Sequence, residues 1–188
     1  MIVIGVCGKA KSGKDEMVVQ YFKNSIHPLA QKHAFADAVK HSAAAFFKEP
    51  IGKFYENKDD ISEQWGISYR EMLQKIGTDF ARNMIHEDFW VQMLDAKIQK
   101  IPDTIGLVFI TDVRFDNEAD WIHYKGGAVI EVVRQMDSTL TAIEKLHSSE
   151  AGISPDKIDY KIINDSTVEE LGLRLERSLE TMGKLRVV

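Results

Sequence analysis

Gly8-Lys9-Ala10-Lys11-Ser12-Gly13-Lys14-Asp15 directly follows the apolar run Ile2-Val3-Ile4-Gly5-Val6-Cys7. The order reads as a buried strand, a glycine-bounded loop and the first turn of a helix. It nearly completes the phosphate-cradling pattern G-x-x-x-x-G-K-[ST], the P-loop. Each residue type has a physical reason. Gly8 and Gly13 reach backbone angles closed to other residues, so successive N–H groups can turn inward on an anion. Lys14 can reach the β- and γ-phosphates, and a helix opening at Gly13 offers its positive end. Gly8, Lys11, Ser12, Gly13, Lys14 and Asp15 are therefore the expected ATP-binding set. Asp15 is the departure, because Ser or Thr normally holds Mg²⁺ there. A carboxylate is also a hard oxygen ligand, which keeps Asp15 a metal candidate. The plain alternative is a glycine turn between a strand and a helix.

At 188 residues the chain fits one domain with a sizeable core. Hydrophobic residues make up 44% and charged residues 28%, as in ordinary globular proteins. A formal charge of −5 argues against a nucleic-acid polymer as partner, since such binding draws on many Lys and Arg contacts to phosphate. A small polyanion could still be met by the local cluster Lys9, Lys11 and Lys14. The single cysteine, Cys7, lies in the first apolar run and cannot form an internal disulfide, which suits a reducing compartment. No apolar stretch approaches the ~20 residues of a membrane span, and Met1 opens straight into the strand. A cytoplasmic location without membrane attachment is expected.

Strands and helices alternate along the chain. Met17, Val18, Tyr21 and Phe22 give a helical stripe after the loop. Ala34 to Ala36 reads as a short strand and Asp37 to Lys48 as a helix. Pro50 to Gly66 reads as an irregular polar stretch. Tyr69, Met72, Leu73, Ile76 and Phe80 form one helix face, and a further helix is expected from Glu87 to Lys100. Leu107 to Ile110 and Ala128 to Val133 are apolar enough to be buried on both sides, and Tyr160 to Ile163 reads as a last strand. Ser166 and Glu169 resemble a capping box for a closing helix marked by Val168, Leu171, Leu175 and Leu179. This alternation predicts an α/β fold, a parallel sheet with helices on both faces. The polar, turn-rich stretch 135–159 has the size of a small lid.

A second chemical signal is Ile110-Thr111-Asp112-Val113-Arg114-Phe115-Asp116-Asn117-Glu118. Asp112 ends a buried strand, which is how a carboxylate is brought near Mg²⁺ and the γ-phosphate. Arg114 and Glu118 follow at the carboxyl edge, where ligands collect in open α/β sheets. The plain alternative makes Asp112 a helix cap and Arg114 a surface ion pair. Arg134 also follows a buried strand and is a candidate to stabilise transferring phosphoryl charge, with a salt bridge within the lid as the alternative. Arg70 lies off its apolar stripe, either to meet a phosphate or as a solvated helix face. Gly77-Thr78 interrupts a good helix, which suggests a close approach to the backbone. Trp90 reads as core or as the flank of a base. Asn57-Lys58-Asp59-Asp60 matches a guanine-reading signature but precedes its proper strand, so it reads as a charged loop.

Taken in order, these segments resemble the deoxynucleoside monophosphate kinases of tailed bacteriophages. The likeness runs through 8–16, 35–40, 70–79, Phe89-Trp90, 110–120, 128–134, 147–152 and 162–171, nearly the whole chain. The Lys14-Asp15 ending of the loop is usual in that family. The resemblance implies a nucleoside-monophosphate-kinase-like, five-stranded parallel sheet as a single domain spanning 1–188. It also implies a monophosphate-binding helical insertion near 37–100 and a lid near 135–159. It implies ATP and Mg²⁺ as cofactors and transfer of the γ-phosphoryl group to deoxynucleoside 5′-monophosphates. Lys40, Arg70, Gly77, Thr78, Trp90, Asp112, Arg114 and Glu118 match the acceptor site, with Asp37 in the same neighbourhood. By their positions in the loop and at the strand ends, Lys14, Arg114 and Arg134 are the expected catalytic residues, and Asp15 and Asp112 the expected Mg²⁺ ligands. Partners would be small nucleotides, with a homodimer left open. The rival readings are another small-molecule P-loop kinase, resembling dephospho-coenzyme A kinase, and a non-kinase P-loop ATPase or switch.

Overall fold

The computed structural model describes residues 1–24, 29–102, 104–134 and 152–183. They form two compact units, one of residues 1–33 and 102–188 and the other of residues 34–101.

The first unit is built on a five-stranded sheet. Its strands are β1 (Ile2–Cys7), β2 (Ala30–His33), β3 (Leu107–Ile110), β4 (Ala128–Val133) and β5 (Tyr160–Ile163). They lie in the order β2-β3-β1-β4-β5, and every pairing is parallel. Because all five run the same way, the loops after β1, β3, β4 and β5 leave from one edge. Helices α1 (Lys14–Asn24) and α7 (Val168–Thr181) cover one face, where Ile4 and Val6 join Met17, Val18, Tyr21, Leu171, Leu175 and Leu179 in one core. Alternation along β1 turns Gly5 to the other face. There a Cβ on Gly5 would lie 2.4 Å from Ile122 Cδ1 of α6 (Asp116–Tyr124). Gly172 similarly lets α7 approach α1, since a Cβ there would meet Gln20 Cβ at 2.7 Å. Cys7 is a core residue, 4% exposed, and burial, helped by the Glu131 charge, pushes its thiol up to about 12.

The second unit is helical: α2 (Phe35–Phe47), α3 (Ile51–Glu56), α4 (Tyr69–Gln74), a π-helical segment Lys75–Ile85 and α5 (Phe89–Ile98). Phe54, Met72, Ala43 and Trp90 are almost fully buried in it.

Several expected boundaries moved. The second strand is Ala30–His33 rather than Ala34 to Ala36, and Phe35 already opens α2. This is an edge strand of half-buried, largely polar residues, held by its backbone register with β3, so no apolar run marks it. The stretch after Pro50 contains α3 rather than being irregular throughout. Phe80 is 45% exposed, because the wider turn of the π segment rotates it off the face shared by Tyr69, Met72 and Ile76. The cap of α7 is Thr167, whose Oγ1 accepts from Glu170 N–H at 3.3 Å, not Ser166. Of the stretch read as a lid, 135–151 lies outside the described residues. The return segment 152–159 carries a short 3₁₀ turn, Pro155–Lys157.

Candidate active site

In the first unit, β1 delivers the chain into a loop with three positive-φ residues: Gly8 (135°), Lys11 (60°) and Gly13 (99°). Alternating backbone hands of this kind turn neighbouring N–H groups to one side and form an anion-binding concavity. Close packing also fixes the two glycines. A Cβ on Gly8 would lie 2.4 Å from the Val132 carbonyl oxygen, and one on Gly13 would lie 2.5 Å from Asn164 Nδ2. Lys14 begins α1 and folds back over the loop, its Nζ donating to Gly8 O and Lys9 O at 2.7 Å each. The first-turn N–H groups of α1 have no acceptor within the helix and complete the positive lining. Lys11 is exposed, whereas Ser12 is buried beneath the loop at 3% exposure, so Ser12 can serve an anion only through its backbone.

Asp15 lies one residue further on. Its Oδ1 accepts from Lys32 Nζ at 2.7 Å and from Thr111 Oγ1 at 3.1 Å, joining the helix start to the turn after β3. Burial pushes this carboxyl up. The Lys32 hydrogen bond and charge, the Thr111 hydroxyl and the Lys14 charge outweigh it and hold the group below the ordinary carboxylate range. The ionised carboxylate at Asp15 and the half-buried Asp112 side chain offer hard oxygen donors of the kind that suits Mg²⁺. Among the described residues no three His, Cys, Asp or Glu side chains cluster as a metal site. A cation here would therefore complete its shell with phosphate oxygens and water.

The turn after β3 is organised by Glu118, which is 2% exposed. Its Oε2 accepts from Arg114 N–H at 2.7 Å and Phe115 N–H at 3.2 Å. Phe115 is the N-cap of α6 and has no side-chain oxygen to cap with, and the Glu118 side chain reaches back across the first turn to its N–H. The sequence reading placed Glu118 against a ligand. The structure shows its carboxylate holding the backbone of the turn from which the exposed Arg114 side chain leaves. Arg134, just past β4, is also exposed at the same sheet edge.

In the second unit, Lys40 and Asp37 pair at 3.6 Å along α2. Tyr55, which sequence reasoning passed over, joins them: its Oη donates to Asp37 at 3.1 Å, and Lys40 Nζ sits 3.9 Å from its ring centroid. Burial and the Asp37 charge push the Tyr55 phenol up. Arg70 near the start of α4 forms a two-point ion pair with Asp59. The close approach expected at Gly77 is present but internal. Trp90 Nε1 donates to Gly77 O at 2.7 Å, and a Cβ on Gly77 would lie 3.1 Å from Val39 Cγ1. Trp90 is 2% exposed. Of the two readings left open for Trp90, core or the flank of a base, the structure shows a core indole tied to the Gly77 carbonyl.

A sequence profile described as deoxynucleotide monophosphate kinase matches residues 14–175. The chain belongs to the deoxynucleotide monophosphate kinase family. Its relatives include the deoxynucleoside-5′-monophosphate kinase of Escherichia phage T5, 34% identical over 58% of this chain and 44% of that protein. A putative deoxynucleotide monophosphate kinase of Acanthamoeba polyphaga mimivirus is 30% identical over 90% of this chain and 92% of that one. The chain covers less than two thirds of the phage relatives it matches, 64% in the case of the phage T4 deoxynucleotide monophosphate kinase. Among solved structures, dephospho-CoA kinase from Campylobacter jejuni superposes with a TM-score of 0.53 at 13% identity, covering 96% and 98% of the two chains. That likeness concerns the fold, an α/β kinase fold. No helix among the described residues is long and apolar enough to cross a membrane.

Proposed function

We propose that this chain transfers the γ-phosphoryl group of ATP to the 5′-phosphate of deoxynucleoside monophosphates, giving ADP and a deoxynucleoside diphosphate. A phosphate oxygen of the acceptor attacks the γ-phosphorus, and the bond to the β–γ bridging oxygen breaks towards ADP. The observation that carries this reading is the positive-φ loop closed by Lys14 Nζ at 2.7 Å from two of its carbonyls, in a chain of this family.

Gly8, Lys11, Ser12, Gly13 and Lys14 hold the donor polyphosphate, with Asp15 and Asp112 as the carboxylates for Mg²⁺. When bound, Mg²⁺ neutralises part of the phosphate charge. The acceptor oxygen is already anionic, so no strong general base is needed, and repulsion between two nucleotides is the main obstacle. Lys14, Arg114 and Arg134 answer it with fixed positive charge. Asp37, Lys40, Arg70, Gly77, Thr78 and Trp90 are assigned to acceptor recognition, the last by positioning. Small nucleotides are the partners.

The test is Lys14→Ala. It should keep the fold and lose ~3 kcal/mol or more of transition-state stabilisation, about a hundredfold or greater fall in rate. A wild-type rate of phosphoryl transfer in this variant would remove the loop from the mechanism.

A further inference from the structure

At the end of β5 the backbone of Asn164 is pinned, its N–H donating to Val133 O at 2.7 Å. The side chain turns to the phosphate loop, where Nδ2 donates to Ser12 O at 2.8 Å. Packing is tight at this point, since a Cβ on Gly13 would also meet Leu171 Cδ2 at 3.3 Å. Ser12 is tied on its other side as well, its N–H donating to Lys9 O at 3.2 Å.

The Ser12–Gly13 peptide is trans, so its C=O and its N–H point in opposite directions. Holding Ser12 O against Asn164 thus directs Gly13 N–H away from β5 and α7. Without that hold the unit could rotate, because Gly13 at φ +99° has no Cβ to resist a change of backbone basin. A rotated peptide would present a carbonyl oxygen where an anion needs a donor.

We propose that Asn164 is a positioning residue of the phosphate loop, fixing the Ser12–Gly13 peptide so that Gly13 N–H faces the donor polyphosphate. The proposal rests on the reading of 8–14 as a triphosphate site. Asn164 touches no reacting atom; it acts through one peptide unit. Pre-orienting a donor gives most where charge is concentrated, so the effect falls on the polyphosphate rather than on the acceptor nucleotide.

Two variants test this in the full chain. Asn164→Asp keeps the shape but cannot donate to Ser12 O. Asn164→Ala removes the donor without adding a charge. Calorimetric binding of inorganic tripolyphosphate, which carries no base, is the direct probe, alongside KM for ATP and for the acceptor and the thermal midpoint. Both variants should bind tripolyphosphate about tenfold more weakly, the worth of roughly one directed hydrogen bond. Their KM for ATP should rise in step while the acceptor KM stays within about twofold.

Unchanged tripolyphosphate binding in both variants would overturn the proposal. Equal weakening of ATP and acceptor that tracks a fall in thermal midpoint would overturn it too, reducing Asn164 to a structural strap. If wild type binds tripolyphosphate no better than Lys14→Ala does, the loop reading falls and this inference with it.

Discussion

Arg70 and Asp59 meet as a two-point ion pair, Nε to Oδ1 at 2.7 Å and Nη2 to Oδ2 at 3.3 Å. The pairing is built by the backbone. Arg70 N–H donates to Lys58 O, Tyr69 N–H to Asp60 O and Ser62 N–H to Ile67 O, stitching the loop from Lys58 to Ile67 across the start of α4. Asp59 therefore stands in register with the guanidinium, and the Asn57-Lys58-Asp59-Asp60 run braces Arg70. Both side chains are well exposed, so the pair itself adds at most ~1 kcal/mol to stability. Arg70→Ala should lower the unfolding free energy by no more than that, yet raise the acceptor KM about tenfold or more with the ATP constant unchanged. Steady-state kinetics with each nucleotide varied separately checks this, and an effect confined to ATP would remove Arg70 from the acceptor site.

Glu118 supports Arg114 from inside. Glu118→Ala would remove the carboxylate acceptor of the Arg114 and Phe115 N–H groups, at roughly 1–3 kcal/mol each. Glu118→Gln retains an acceptor oxygen and should cost about 1 kcal/mol. Acceptor kinetics should deteriorate in both, more in Glu118→Ala, because the exposed arginine loses its aim. Urea denaturation together with acceptor titration would show it. A Glu118→Ala variant of native stability would contradict the buried clamp.

These residues also show what could be read from the sequence. The strand–loop–helix at 2–24 was legible because glycine spacing, an apolar run and one lysine all demand the same geometry. The strands at 107–110 and 128–133 were legible because burial on both sides leaves an unbroken apolar run. β2 was displaced by four residues because an edge strand needs no such run. Phe80 was misplaced because a π-helical turn changes the side-chain period without changing composition. Trp90 could be assigned to core or to a base only once its Nε1 was found on Gly77 O. The Tyr55 and Asn164 contacts were invisible, since each joins residues distant in sequence with no periodicity to mark them.

Asp116 at the start of α6 accepts from Ser154 N–H at 2.8 Å and Ser154 Oγ at 2.6 Å. Chiefly the Ser154 hydroxyl, and then its N–H, hold this carboxyl below the ordinary value of 3.8. A group depressed on folding stabilises the protein above its unfolded pKa, and that contribution is lost as pH falls through the folded one. Asp116→Asn should therefore be less stable than wild type from about pH 5 to 7, with the gap closing below about pH 4. Denaturation midpoints across that range measure it. A gap that persists undiminished at about pH 3 would show that the charged form of Asp116 contributes nothing.

The central claim is phosphoryl transfer from ATP to a deoxynucleoside monophosphate. It is tested most directly by following ADP and diphosphate formation with ATP and Mg²⁺ alone, then with each deoxy and ribo monophosphate added. In the proposed mechanism Lys14, Arg114 and Arg134 neutralise two nucleotides brought together, and no activated water is needed. The account predicts negligible ADP without acceptor, and ADP and deoxynucleoside diphosphate in equal amounts once an accepted deoxynucleotide is present. ADP released at the same rate with or without any monophosphate, and no diphosphate formed, would contradict it and leave an ATPase in its place.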